Sequence, residues 1–108
     1  MNLPTEIFDD VVVVHTPEEL SSDQADGLEA YLGSLERRNV VLDLDCTETL
    51  DSRGLEAILA AQEELRQAGG DVKITTTNAV NRKIFEITRL DQQIEVFDSV
   101  VDAVKSFH

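Results

Sequence analysis

The sequence predicts an α/β fold, and three observations carry that prediction. Val11–Val14 is a continuous β-branched run and Val40–Leu44 a second apolar one, each of the kind that forms a buried strand. Between and after them lie apolar residues at helical spacing: Ala25, Leu28, Leu32 and Leu35, then Leu55, Ile58, Leu59 and Leu65 padded by Ala57, Ala60, Ala61 and Ala68. Strand and helix patterns alternate to the end of the chain, which requires right-handed crossovers and parallel strand pairs. The expected architecture is a sandwich with a mixed sheet of about four to five strands and about four helices, mainly on one face.

The remaining elements follow in order. Thr5–Phe8 is a weaker strand candidate, paired to Val11–Val14 through the turn Asp9-Asp10. Gly69-Gly70 stops the second helix. Val72-Lys73-Ile74-Thr75 and Ile94-Glu95-Val96 alternate and read as later strands. Asn78 is placed to cap a third helix with Val80, Ile84 and Ile87 turned inward. Asp98 or Ser99 caps a fourth, whose Val100, Ala103, Val104 and Phe107 fall at i, i+3, i+4 and i+7.

Composition narrows the function classes. The 108 residues hold 42% hydrophobic side chains, enough for one domain spanning 1–108 with its own core. Twenty-two acidic against nine basic residues give a formal charge of −13, which argues against nucleic-acid or anionic-membrane binding, since both need a cationic face. With Cys46 the only cysteine, neither an internal disulfide nor a cysteine-held metal is expected. No basic leader and no apolar run of spanning length is seen, so direct membrane insertion is not expected and the cytoplasm is the natural compartment.

The segment Asp51-Ser52-Arg53-Gly54-Leu55 opens the second helix a few residues after a strand. A helix's first turn exposes unpaired N–H groups and the positive end of the macrodipole, so a side-chain oxygen caps it and a phosphate is stabilised there. Ser52 is thus placed either to cap the helix or to accept a phosphoryl group, and Asp51 is an equally good cap.

Together these segments resemble the STAS domain, the fold of bacterial anti-sigma factor antagonists. The resemblance rests on V-V-L-D-L followed by L-D-S-R-G-L, the helix ending in A-G-G, the strand D-V-K-I, the segment N-A-V-N-R-K-I-F-E-I-T-R-L and the closing V-F-D-S-V-V-D-A-V. It implies a STAS-like sandwich and a non-enzymatic interaction module without a cofactor. In the family pattern D-S-[ST]-G-[LIVM], the first Ser is phosphorylated by a kinase that is also the anti-sigma factor. It falls on Ser52. The resemblance therefore implies, as partner, an anti-sigma factor with serine-kinase activity, with a PP2C-type phosphatase beside it. Asp51, Ser52, Arg53, Gly54, Glu19 and Ser21 would form the partner-binding face.

Three positions depart from the pattern. Arg53 stands where a second Ser or Thr is usual, Glu18-Glu19-Leu20-Ser21 where the pattern has G-E-L-D, and Arg89 where a Gly precedes Leu. Arg53 would either stabilise a neighbouring phosphoserine or occupy the docking surface, and both Arg53 and Ser21 are expected to be exposed. The alternative function is a phosphorylation-independent scaffold or accessory subunit of a signalling or transport complex. Nucleotide binding, a third reading, lacks a Gly-rich phosphate loop.

Other candidates read as structural. Cys46 lacks a basic neighbour to activate its thiol and is expected buried or half-buried. His15 and His108 have no spacing that makes a metal site or a triad, and Asp43 and Asp45 read as solvent-facing or turn acids. Arg82, Lys83 and Arg89 form the one basic cluster, read as a solvated helix face.

Overall fold

The computed structural model describes residues 1–107; of the residues read above, His108 lies outside this range. Strands β1 (Thr5–Phe8) and β2 (Val11–His15) form a hairpin. Its turn places Asp9 in the left-handed region at φ 60°. Then follow β3 (Glu19–Leu20), α1 (Ser22–Gly33), β4 (Asn39–Asp43), β5 (Thr49–Leu50), α2 (Ser52–Gln67), β6 (Asp71–Thr75) and α3 (Ala79–Ile87). A 3-10 turn at Leu90–Gln92, β7 (Val96–Phe97) and α4 (Val100–Lys105) complete the order.

Five strands make one mixed sheet in the order β1-β2-β4-β6-β7, antiparallel only at β1–β2. Both faces are covered, which is why β2 and β4 carry unbroken apolar runs rather than alternation. On one face Val12, Val14, Val40, Leu42, Val72 and Ile74 meet Leu28 and Leu32 of α1, Ile58 and Leu65 of α2, and Phe85 of α3. On the other, Val11, Val13 and Val41 meet Ala103 of α4, with Val100, Val104 and Phe107 packed around them. Lys73 reaches that second face: its ammonium is buried, donates to Ser106 O at 3.2 Å and Oγ at 2.7 Å, and sits 4.3 Å from the centre of the Phe107 ring. This ties the end of α4 to the sheet.

Four details differ from the sequence reading. In α3 the expected inward residues Val80 and Ile87 are 65% and 71% exposed, while Asn81 and Phe85 are buried. The helix is turned by about one residue, roughly 100°, because that orientation buries the larger Phe85 and lets Asn81 Nδ2 donate to Thr47 O at 2.9 Å. Ile84 is left half-buried against the core. The last strand falls at Val96–Phe97 rather than 94–96, since Ile94 drops into the core and leaves pairing to the next residues. Leu35 packs on the core from beyond the end of α1, and Leu59 is half-buried rather than fully enclosed.

Gly69 takes φ 93° after α2, as its stop role requires, and Gly70 N–H closes the helix on Leu65 O at 2.8 Å. Arg89 takes the left-handed conformation as well, at φ 61°. The fold keeps the turn that glycine would favour and accepts a cost of about 1–2 kcal/mol for a side chain there.

The rotation of α3 sets a stability contrast. Phe85→Ala is expected to cost about 3–5 kcal/mol, and Ile87→Ala to stay within about 0.5 kcal/mol of wild type. Urea unfolding measures both, and the opposite ranking would restore the expected rotation.

Candidate functional site

The parallel strands all end on one edge of the sheet, and the N-termini of α1, α2 and α3 gather there. Two loops rise from this edge and are laced together by a small second sheet, β3 paired parallel to β5. Glu18 O accepts N–H groups from Glu48 at 2.8 Å and Thr49 at 3.1 Å, and Leu20 O accepts from Asp51 at 3.4 Å. This lacing brings the start of α1 beside the start of α2.

Asp51 then serves both helices. Its Oδ1 accepts from Gly54 N–H at 3.0 Å, capping α2, and its Oδ2 accepts from Ser22 N–H at 3.3 Å, in the first turn of α1. The choice between Asp51 and Ser52 as cap is therefore resolved in favour of Asp51. Ser52 is the first helical residue, exposed, and its hydroxyl has no hydrogen-bond partner among the described residues. Gly54 is required by contact: a Cβ there would lie 2.3 Å from Leu20 O.

Arg53 is exposed, as expected, but engaged. Its guanidinium bridges the helices, with Nη2 3.2 Å from Asp26 Oδ1 and Nη1 3.4 Å from Glu56 Oε2. Ser21 is not exposed as expected. It is buried at the N-cap of α1, its N–H donating to Gln24 Oε1 at 3.3 Å and its Oγ 2.9 Å from both Gln24 Oε1 and Glu19 Oε1. Ser21→Asp would thus set a second carboxylate against Glu19. Glu19 itself is exposed on β3.

Beneath the loops lies a buried polar layer that the sequence did not announce. Thr16 Oγ1 and Thr47 Oγ1 are 2.6 Å apart, Asn81 reaches Thr47, and Thr76 Oγ1 accepts from Asn78 N–H at 3.1 Å. Threonines scattered across three loops carry no periodic signal. The layer is satisfied throughout: among the described residues no buried side-chain polar atom lacks a partner.

Beside it, His15 joins two carboxylates, Nδ1 at 2.9 Å from Asp43 Oδ2 and Nε2 at 2.7 Å from Glu6 Oε1. Two acceptors on two ring nitrogens require both N–H groups, hence the imidazolium. Burial works against the charge, but the hydrogen bonds and attraction of Glu6 and Asp43 outweigh it and raise the pKa above the ordinary 6.5. Asp43 is accordingly half-buried rather than solvent-facing. Asp45 is a turn acid, as expected, and accepts from Thr77 N–H at 2.6 Å. Cys46 is exposed at the tip of its turn, not buried, because the chain there leaves the sheet edge between Leu44 and the buried Thr47. Of the basic cluster, Arg82 is bound to Asp98 at 2.6 Å, Lys83 lies 4.0 Å from Glu86 on an exposed helix face, and Arg89 is exposed.

The class of protein defined by this geometry is an α/β module whose distinctive face is a pair of laced helix N-termini carrying an uncommitted serine. Its sequence matches the STAS domain profile over residues 2–103, and the chain belongs to that family. A Thermotoga maritima protein named "Putative anti-sigma factor antagonist" is 24% identical over 106 residues, 94% of each chain. An anti-sigma factor antagonist from Mycobacterium paratuberculosis superposes with a TM-score of 0.84 at 26% identity, over 97% of this chain and 92% of that one. The Bacillus cell fate determinant SpoIIAA in its phosphorylated form shares the fold at TM-score 0.72 and 16% identity, over 99% and 100% of the two chains. The fold also occurs in a sulfate transporter family protein from Wolinella succinogenes, at TM-score 0.81 and 16% identity over 94% and 87%.

Two measurements probe the site's construction. In an exposed helix Gly→Ala gains up to about 1 kcal/mol, but at Gly54 the new methyl meets a backbone carbonyl that cannot step aside, so Gly54→Ala is expected to destabilise by about 1–3 kcal/mol in thermal unfolding. The second concerns pH. Because the folded pKa of His15 is raised, its stabilisation is fully present below about 6.5 and is lost as pH rises through the folded value. The stability gap between wild type and His15→Gln is therefore expected to be widest between about pH 5 and 6.5 and to close above the folded pKa. A gap that widens with pH would show that His15 is held neutral.

Proposed function

We propose that this protein is an anti-sigma factor antagonist: a non-enzymatic module, acting as one domain in the cytoplasm, that holds an anti-sigma factor with serine-kinase activity while Ser52 is free and lets go when Ser52 is phosphorylated. The observation that carries the reading is the division of labour between Asp51 and Ser52. Asp51 caps the helix, so Ser52 can be modified without loss of a structural hydrogen bond. The names of the related proteins, and the phosphorylated form in which SpoIIAA was solved, support it.

The chemistry asked of this chain is that of an acceptor. Ser52 Oγ bonds to the γ-phosphorus of ATP held by the kinase, ADP leaves with the bridging oxygen, and the hydroxyl proton passes to the kinase's base. A PP2C-type phosphatase would reverse the modification by hydrolysis. Phosphorylation adds roughly −1.5 to −2 charge to a face formed by Glu19, Asp51, Ser52 and Arg53 over the buried Ser21 and Gly54. At a docking surface that dianion must be stripped of water among acidic neighbours, which weakens binding without refolding.

Ser52→Ala is expected to bind the anti-sigma kinase as wild type does and to hold it in the presence of ATP. Ser52→Asp is expected to bind at least about tenfold more weakly with an unchanged circular dichroism spectrum. Titration calorimetry with the kinase recovered by pull-down from the source cell reads both. Equal binding by the two variants would replace the switch with the phosphorylation-independent scaffold or accessory role.

A further inference from the structure

We infer that Arg53 is a built-in counter-charge for the modified serine: on phosphorylation of Ser52 its guanidinium leaves Asp26 and Glu56 and clamps the phosphoryl oxygens. The inference rests on the reading of Ser52 as phosphoacceptor and assigns a residue that controls that state.

Charge is the first ground. The side chains gathered at the two helix ends, Glu19, Asp23, Asp26, Asp51 and Glu56, are acidic, and Arg53 is the cation among them. A phosphate on Ser52 adds to this negative field, and the guanidinium on the next residue is the charge able to offset it. The second ground is how loosely Arg53 is held. It makes one contact to each carboxylate, at 3.2 and 3.4 Å, and those partners are 87% and 65% exposed. Solvent-exposed pairs of this kind exchange readily and stabilise little. A phosphate dianion offers three strong acceptors to the planar fork of an arginine, a match that a single carboxylate contact does not reach.

Reach is the third. Ser52 and Arg53 are adjacent in the first turn of α2, and the long, exposed Arg53 side chain, held by single contacts to Asp26 and Glu56, is free to swing toward the helix N-terminus, the direction in which the Cα–Cβ bonds tilt. The Gly54 N–H, otherwise available to an anion there, is occupied by Asp51 Oδ1. Transfer of Arg53 would also remove the ionic bridge between α1 and α2 and leave Asp26 and Glu56 uncompensated. A phosphatase working on phosphorylated Ser52 must therefore displace or accommodate a guanidinium seated on the phosphate, whereas a kinase meets the free serine with Arg53 still on Asp26 and Glu56. Arg53 is thus a specificity-determining residue.

The test uses the full chain with phosphoserine encoded at position 52 during translation, so that no kinase is involved, and follows the phosphate by 31P NMR titration. With Arg53 present the second phosphate pKa is expected to lie roughly 0.5–1 unit below its value in Arg53→Gln, with Arg53→Lys between them. The paired change Asp26→Asn with Glu56→Gln is expected to lower that pKa further when Arg53 is present than in the Arg53→Gln background. Equal pKa values in wild type and Arg53→Gln, or an equal effect of the paired change in both backgrounds, would overturn the inference. Circular dichroism checks that every variant is folded. Undiminished partner binding by Ser52→Asp would sink the proposed switch while leaving these titrations to be judged separately.

Discussion

The site depends on one carboxylate. Asp51 accepts from the first turns of two different helices, and it is held there because its own N–H is fixed to Leu20 O across the β3–β5 ladder. Gly54 makes the approach possible, since any side chain would collide with that same Leu20 carbonyl. The two helix ends, the strand ladder and the glycine thus form a closed set of constraints. Their common effect is to leave the next residue, Ser52, free of structural duty at the positive end of a helix.

Much of this frame was legible because it rests on local pattern. The valine run of β2, the capping residue Asn78 and the stop at Gly69 are written in adjacent residues, and the structure places them as read; of the two caps open for α4, Asp98 and Ser99, it takes Ser99. The rotation of α3 was not legible. Val80, Ile84 and Ile87 make a cleaner stripe than Asn81 and Phe85, and only the position of Thr47, more than thirty residues upstream, decides between them. At the site, Asp51, Ser52, Arg53 and Gly54 stand together in sequence, while Ser22 and Leu20, which hold Asp51 and Gly54, and Asp26, which holds Arg53, lie about thirty residues away. Two-residue strands such as β3 and β5 have no period to detect, so the lacing, the burial of Ser21 and the bridging role of Arg53 belong to tertiary structure alone.

The layer below the loops explains how such a face keeps its shape. Thr16, Thr47 and Asn81 bond to one another and to the backbone, with no buried side-chain polar atom left unpaired among the described residues. A fully satisfied network of this kind rigidifies what stands on it, because breaking one member strands another in a low-dielectric setting. The imidazolium of His15 adds a second anchor, joining β1 to the end of β4 across the strand between them. Chemistry on the outer face can therefore change charge while the backbone stays in place.

β1 carries a different consequence. It is the outermost strand, its four residues are all exposed, Ile7 is 56% and Phe8 42% exposed, and among the described residues no strand covers its free side. Such an edge is a template for self-association into longer sheets, and no lysine within it discourages that. Its protection comes from its ends and from the whole molecule. Pro4 denies the ladder an N–H on one side, Asp9 turns the chain back on the other, and copies carrying a charge of −13 repel one another before their edges meet. Acid and concentrated salt remove that repulsion while the short bare edge remains, so colloidal stability in this protein is governed by its surface charge more than by the strength of its fold.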